Sequence, residues 1–324
     1  MNYSGSITDV AGITVGHHTD LENGTGCTVV LSDQNAVAGI EVRGAAPGSR
    51  DTELLNPVAG ARWINGVTLT GGSVFGLDSS GGVVQYLEEQ GIGIKIGRIR
   101  IPLVPAAVIF DLGFINHRVR PGFDDGYTAA KSASVEFKTG SVGAGTGATA
   151  AKALGQLFSI KGGIGTASIE VSNGAIVGAL MVVNAIGDVV DPDTGEIVAG
   201  PRTETGFDNS VELMIKTTSK DSGFFRNTTI GVVATDAKLD KIGATRLAIA
   251  GQDGIALAVR PAHTANDGDT IFGLSTGTHS EPVSGDTLHA AALKAVSGAI
   301  LNAIDSAETL GGVLSAKDAK AKFV

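Results

Sequence analysis

The sequence predicts an α/β protein in which buried sheets are covered by helices. Three observations predict it. Strand-like and helix-like segments alternate along the chain. Hydrophobic residues make up 43% of it, enough for a sizeable core. Glycine counts 47 while aromatics are only 5%, so the core must be built from Ala, Val, Ile and Leu with close backbone approaches. The order of segments does not by itself fix the topology. A length of 324 residues suits one large domain or two small ones, and no internal repeat or low-complexity linker divides it. We read it as one domain, 1–324.

The elements are taken in chain order. Residues 27–31 and 36–42 are β-branched, apolar runs and read as two early strands. Between Ser73 and Gln90, the residues Val74, Leu77, Val84 and Leu87 recur at helical spacing, and Gly91 is a stop. Residues 175–183 form an apolar run short enough for a buried strand. The string Asp191-Pro192-Asp193-Thr194-Gly195 is a turn by composition. Residues 200–222 are more polar and are expected to be a mobile lead-in to the next strand. Residues 229–235 read as that strand, 239–259 as a helix ended by Pro261, and Thr270–Ser275 as another strand. Asp286 is placed to cap a last helix that carries Leu288, Ala292, Val296, Ile300 and Ile304 on one stripe.

Charge and composition exclude several function classes. The net charge is −9 with no basic block, which argues against nucleic acid or an anionic membrane as the main partner. The single Cys27 cannot form an internal disulfide and sits in an apolar run, so it is expected in the core of a protein from a reducing compartment. The start shows no basic n-region followed by an apolar stretch, and no uninterrupted apolar run reaches roughly 18–20 residues. A cytoplasmic location is the expectation. The six histidines show no metal-ligand spacing, and His17 and His18 point to opposite faces of any strand. Gly143-x-Gly145-x-Gly147 looks superficially like a dinucleotide loop, but the third glycine comes one place early. Close backbone packing is the better reading of these glycines. A nucleotide-binding protein using the Gly143–Gly147 loop stays open as an alternative.

Two segments carry chemistry. In Asn227-Thr228-Thr229-Ile230-Gly231-Val232, a Thr stands at the head of an apolar run. Its hydroxyl is a poor nucleophile while its nitrogen is locked in a peptide bond. Cutting between Asn227 and Thr228 would free an α-amino group with a reference pKa near 8 beside that hydroxyl, a built-in general base. The bland readings are an ordinary strand Thr or an N-glycosylation sequon. In the second segment, His263-Thr264-Ala265-Asn266-Asp267-Gly268-Asp269-Thr270, two carboxylates stand two residues apart. They can hold and charge a nucleophile, or they can be a solvated turn.

Together these segments resemble the DmpA family of self-cleaving amidohydrolases, with the nearest likeness to its nylon-oligomer (6-aminohexanoate-oligomer) hydrolases. The resemblance runs over most of the chain. It includes Ile7-Thr8-Asp9-Val10, Val15-Gly16-His17, Gly24-Thr25-Gly26-Cys27-Thr28-Val29-Val30, Leu69-Thr70-Gly71-Gly72-Ser73, Val104-Pro105-Ala106-Ala107-Val108-Ile109-Phe110-Asp111 and Gly143-Ala144-Gly145-Thr146-Gly147-Ala148. It implies a four-layer αββα sandwich similar to N-terminal-nucleophile hydrolases, and autocleavage into 1–227 and 228–324. It also implies a Thr228 nucleophile supported by Asp267, Asp269, Lys152 and Asn184, no metal or organic cofactor, and a homo-oligomer, a tetramer of cleaved protomers. Asp at both 267 and 269 is the pattern of the nylon-oligomer hydrolases, where the related aminopeptidases have Ser and Glu. An aminopeptidase acting on short peptides is the alternative within the family. Phe110 stands where the nylon hydrolases carry Tyr, at a position tied to substrate binding, and Phe offers no hydroxyl.

Overall fold

The computed structural model describes residues 3–216 and 227–323. Its main sheet is built from β1 (Ile13–Asp20), β2 (Thr25–Val42), β3 (Ile64–Thr70), β4 (Ala106–Val108), β5 (Ile164–Glu170), β6 (Ile176–Asn184), β7 (Thr228–Thr235) and β8 (Thr270–Ser275). The strands run in the order β5-β6-β7-β8-β2-β3-β4, with Ser49–Arg50 beyond β4 and with β1 paired to β2. Only β7–β8 and β3–β4 are parallel among the pairs in this path.

The long strand β2 makes two layers out of one ladder. Its first half lies between β1 and β3, through pairs such as Val30 with Val15 and with Val67. Its second half pairs with β8 from Val37 to Val42. The expectation of two separate strands is therefore corrected. The polar Ser32-Asp33-Gln34-Asn35 stretch, which reads as a break, stays extended where the strand passes from one layer to the other.

Helices α1 (Ser79–Glu89), α2 (Phe123–Lys131), α3 (Lys241–Ala258) and α4 (Gly285–Asp305) close the two outer faces. Side-chain alternation sorts the apolar residues into three layers. Val30, Val67, Leu180, Val182, Ile230, Val232, Phe272 and Leu274 pack between the two halves of the sheet. Ala179, Met181, Val233 and Ile271 face α3 and α4. Cys27, Val29 and Leu31 face Val83 and Leu87 of α1 and Ala129 and Ala130 of α2. Three apolar layers need four layers of backbone, so the αββα sandwich is the architecture found, and Cys27 is a core residue.

Local chemistry explains most boundaries. α1 stops at Gly91, whose φ of +71° suits glycine. Its first turns differ from expectation: residues 73–78 form a 3-10 segment, and the α-helix begins only at Ser79. Within the expected lead-in 200–222, residues 210–216 form the short helix Ser210–Lys216, while 217–222 lie outside the described residues. α3 is capped by Asp240, whose carboxylate accepts from Gly243 N at 2.7 Å. α4 is capped by Ser284 rather than Asp286: Ser284 is extended and its hydroxyl accepts from Thr287 N, leaving Asp286 in the first turn near the positive helix end. α4 is long and apolar enough to cross a membrane, yet it packs on β5 and β6, where an apolar stripe is what a core helix requires.

The glycines let helices lie directly on strand backbones. A Cβ at Gly273 would sit 2.1 Å from Ala244 O of α3, and one at Gly165 would sit 2.1 Å from Ala299 O of α4. Gly165→Ala is therefore expected to destabilise the protein by about 1–3 kcal/mol, the range for overpacking a core. Gly285→Ala, where nothing lies within 4 Å, is expected to be near neutral. Thermal melting of the two variants checks this, and equal melting temperatures would contradict the close α4–β5 contact.

Candidate active site

β7 begins where β6 ends, and the antiparallel register sets Thr228 opposite Asn184. Both side chains continue the faces of Ile230 and Val182, so they lie at one end of the layer between the sheets. On the other side, the parallel ladder of β7 with β8 is extended by a bridge between Asn227 and Asp267. Asn227 N donates to Asn266 O at 3.2 Å, and Gly268 N donates to Asn227 O at 3.0 Å. The peptide before Thr228 is thus held as strand backbone. The Thr228 hydroxyl also donates to the Asn227 carbonyl. Thr228 is 5% exposed. Gly268 is required here: a Cβ would lie 2.8 Å from Ala46 O and 3.2 Å from Thr228 Oγ1.

Asp267 and Asp269 are both buried, which removes the solvated-turn reading. Asp267 Oδ2 accepts from Thr264 N at 2.6 Å. Burial pushes its carboxyl above the usual range and the Asp269 charge adds to the rise, while the Thr264 N–H and Lys152 oppose it. Asp269 Oδ1 accepts from the N–H of Thr229, not from Thr228, at 2.6 Å. Its partners on Oδ2 are His263 N at 3.1 Å and His263 Nδ1 at 2.8 Å. Asp269 therefore fixes the residue after the proposed nucleophile.

Lys152 is buried, not a surface lysine. Its ammonium donates to Asn184 O at 3.0 Å and to Asn184 Oδ1 at 2.9 Å. Burial pushes it down to about 7, while the charges of Asp267 and Asp111 pull the other way. Asn184 Oδ1 also accepts from Thr149 N at 3.1 Å, and Asn184 Nδ2 donates to Phe110 O at 3.2 Å. That amide has two hydrogens. One goes to Phe110 O, and the second can donate as well. Phe110 thus enters the network through its backbone carbonyl, a contact Tyr would make equally well.

Three residues of this network are not among those the sequence singles out. Asp111 is buried, with Thr25 Oγ1 donating at 2.7 Å and Gly72 N at 2.6 Å. Lys161 is fully buried and donates to Gly145 O, Ala148 O and Gly162 O at 2.8–2.9 Å. Burial pushes it too down to about 7, and the Asp111 charge opposes the fall. His263 holds Asp269. Asp111 and His263 sit at the ends of segments that carry the family resemblance. Lys161 shows only as a lone charge in an apolar stretch. The Gly143–Gly147 loop is buried, and four of its five N–H groups are spent: Gly143 N donates to Thr19 Oγ1, Ala144 N to Thr28 Oγ1, Gly145 N to Val142 O and Thr146 N to Gly143 O. A phosphate cradle needs several free N–H groups together, so the nucleotide-binding alternative finds no support here and close packing explains these glycines. Among the described residues no cluster of metal-ligating side chains occurs.

The model of peptidase family S58 matches residues 5–317. The chain belongs to peptidase family S58. An uncharacterised aminopeptidase of Mycobacterium tuberculosis is 38% identical, covering 97% of each chain. A 6-aminohexanoate-oligomer endohydrolase of Paenarthrobacter ureafaciens is 28% identical over 83% of this chain and 74% of its own. The structure of an L-aminopeptidase D-Ala-esterase/amidase from Ochrobactrum anthropi, described as a new variant among the Ntn hydrolase fold, superposes with a TM-score of 0.72 at 20% identity, over 98% of this chain and 93% of that one. As an S58 member the protein is a hydrolase of peptide or amide bonds, and its fold is of the Ntn type.

A buried amine held down to about 7 switches form within the neutral range. Below about 7 Lys152 is an ammonium and cannot accept a proton. Above it the neutral amine is available as a base. If the chain is processed before Thr228 and Lys152 is the base for that cut, processing of a refolded precursor should accelerate as pH rises through about 7. Lys152→Gln should flatten that rise and slow processing on the order of 10²–10⁴-fold. The precursor is the right species, because its Thr228 nitrogen is still an amide and cannot mimic the titration. The same pH limb in wild type and Lys152→Gln would sink the assignment.

Proposed function

We propose that the protein is an autoprocessed amide hydrolase that cuts itself between Asn227 and Thr228, giving 1–227 and 228–324, and then uses Thr228 as an N-terminal nucleophile. The observation that carries this reading is the Asn227 carbonyl, which accepts from the Thr228 hydroxyl and from Gly268 N at 3.0 Å. The hydroxyl oxygen attacks the Asn227 carbonyl carbon and passes its proton to a base, for which the candidate is Lys152, the buried amine bonded to Asn184. The Gly268 N–H steadies the oxygen that becomes negative. The C–N bond then breaks, the nitrogen takes a proton, and the chain is left as an ester on Thr228. Water hydrolyses the ester. In the mature enzyme the free amine of Thr228 serves as base for the same hydroxyl, now directed at a substrate carbonyl. Asn184 offers its second Nδ2 hydrogen to the oxyanion, and Asp267 and Asp269 set charge and position.

Two substrate classes fit this site. Linear ω-amino-acid amides such as 6-aminohexanoate oligomers are favoured by the Asp267-x-Asp269 pair. Short peptides with a free amino terminus are favoured by the aminopeptidase named among the relatives, which at 38% over nearly the whole chain stands nearer than the oligomer hydrolase at 28%. We place the peptide class first on that difference. One experiment covers the reading: N-terminal sequencing, with kcat/KM on an Ala dipeptide amide and on a linear 6-aminohexanoate oligomer, for wild type and Thr228→Ala. Wild type should yield a fragment beginning Thr-Thr-Ile-Gly and prefer the Ala substrate. Thr228→Ala should stay one chain and be inactive. An active Thr228→Ala enzyme would end the nucleophile assignment. A large advantage for the oligomer would reverse only the substrate order.

We also infer a homo-oligomer, a tetramer of cleaved protomers. A separate two-stranded hairpin, Ile94–Ile96 with Ile99–Ile101, supports it: the pairs Ile94 with Ile101 and Ile96 with Ile99 put the isoleucines on one face. Ile96, Ile99 and Ile101 are 58%, 57% and 41% exposed. Lys95, Arg98 and Arg100 make the hairpin basic on a chain of net charge −9, so another copy is an electrostatically favourable partner. Sedimentation equilibrium should show a multiple of the 32.6 kDa chain mass, reduced by Ile96→Lys with Ile99→Lys. Protomer mass alone for wild type at micromolar concentration would refute the oligomer.

A further inference from the structure

We propose that His263 is a positioning residue, which locks the Asp269 carboxylate through two N–H groups and so fixes the new chain end at Thr228. The proposal rests on the reading of Thr228 as nucleophile. Before the cut, Thr228 is held on both sides by covalent backbone. After it, the covalent link to Asn227 is gone, and the hydrogen bond next to the free end is Thr229 N to Asp269 Oδ1 at 2.6 Å. The placement of the amine and hydroxyl of Thr228 therefore depends on where Asp269 is held.

Asp269 is held by a bracket from three directions. His263 N and Nδ1 both reach Oδ2, at 3.1 and 2.8 Å. Gln252 of α3 donates from Nε2 to the Asp269 carbonyl at 3.2 Å and to Glu41 O at 2.8 Å. The Gln252 carbonyl lies 3.4 Å from His263 Nε2, on the far side of the ring from Asp269. Arg43 N donates to the same Asp269 carbonyl at 3.0 Å. The ring thus sits between α3 and the start of β8, with its Nδ1 edge on the carboxylate.

The backbone at His263 is unusual in the way this role requires. Its φ is +59°, in the left-handed region that a non-glycine residue visits only at a cost. That conformation turns the main-chain N–H and the ring of one residue toward a single oxygen. The side chain is 19% exposed, against 3% for Asp269, so the ring closes the outer side of a buried carboxylate rather than filling the core.

The test separates ring from backbone. His263→Gly keeps the left-handed conformation and the main-chain N–H but removes the ring. His263→Asn tolerates the same conformation and returns a side-chain N–H donor. Thr228→Ala is assayed beside them on an Ala p-nitroanilide, with melting temperature and the extent of processing measured for each. The expected result for His263→Gly is a folded protein whose kcat is lower by about 10–100-fold at nearly unchanged KM, since a small misplacement of the attacking atom costs that much. His263→Asn should recover at least roughly a third of the lost factor on a logarithmic scale. Wild-type kcat in His263→Gly overturns the positioning role, and so does a His263→Asn enzyme no better than His263→Gly. If Thr228→Ala is inactive while His263→Gly has wild-type kcat, only the positioning role fails. If Thr228→Ala is active, the nucleophile reading itself fails.

Discussion

The register of β7 is the constraint on which the rest of the site depends. Side chains alternate along a strand, so a slip of one residue would turn Thr228 out of the inter-sheet layer and onto the face that meets α3 and α4. The slip is opposed along the whole strand. Ile230, Val232 and Ala234 fill the layer between the sheets, while Val233 faces the helices. Burial of the entire strand therefore decides where one hydroxyl points. The two neighbours of β7 differ in direction, antiparallel β6 and parallel β8. That difference brings the end of one strand, with Asn184, and the start of another, with Asp267 and Asp269, to the same edge.

Burial then sets the electrostatics. Lys152, Lys161, Asp111, Asp267 and Asp269 are all taken out of water at that edge. An isolated buried charge is costly, by several kcal/mol even after relaxation. Both lysines and Asp111 have named compensation: three carbonyls for Lys161, two oxygens of Asn184 for Lys152, and two donors for Asp111. Desolvation still dominates for both lysines, which is why they fall to about 7. A surface lysine would stay protonated throughout the physiological range and could not act as a base. The same burial that strains the charge balance makes proton transfer to Lys152 feasible.

Much of this is legible in the sequence, and the limits come from physics. Apolar, β-branched runs mark β6, β7 and β8 because buried strands leave little else to read. β1, β3 and β5 carry His17, His18, Asn65, Thr68, Thr166 and Ser168 among their apolar residues, so their pattern is broken and gives no clear strand signal. The passage of β2 between layers reads as two strands because polarity marks turns more often than it marks a crossing. Asp267 and Asp269 are legible as a pair, but their burial is not: Asn-Asp-Gly-Asp has the composition of a surface turn. Contacts made by main-chain atoms, such as Gly268 N on Asn227 O or Phe110 O on Asn184, leave no residue-type signature at all.

Glycine use ties the composition to the chemistry. Where α3 and α4 rest on the sheet, Gly39, Gly165 and Gly273 allow helix backbone to approach strand backbone within the space of a missing Cβ. Near the site the same device serves a different end. Gly44 lets the chain pass the Asp267 carbonyl, and Gly268 lets an N–H approach the Asn227 oxygen with Ala46 and Pro47 at its back. A side chain at either position would push apart the Asn227–Thr228 peptide and the Gly268 N–H that its carbonyl accepts from. The low aromatic content belongs to the same solution. Thin layers of Ala, Val, Ile and Leu keep the backbones near enough for hydrogen bonds between main-chain groups to build the site. Larger core residues would separate those groups and leave the buried lysines and aspartates without the carbonyl and N–H partners that hold them.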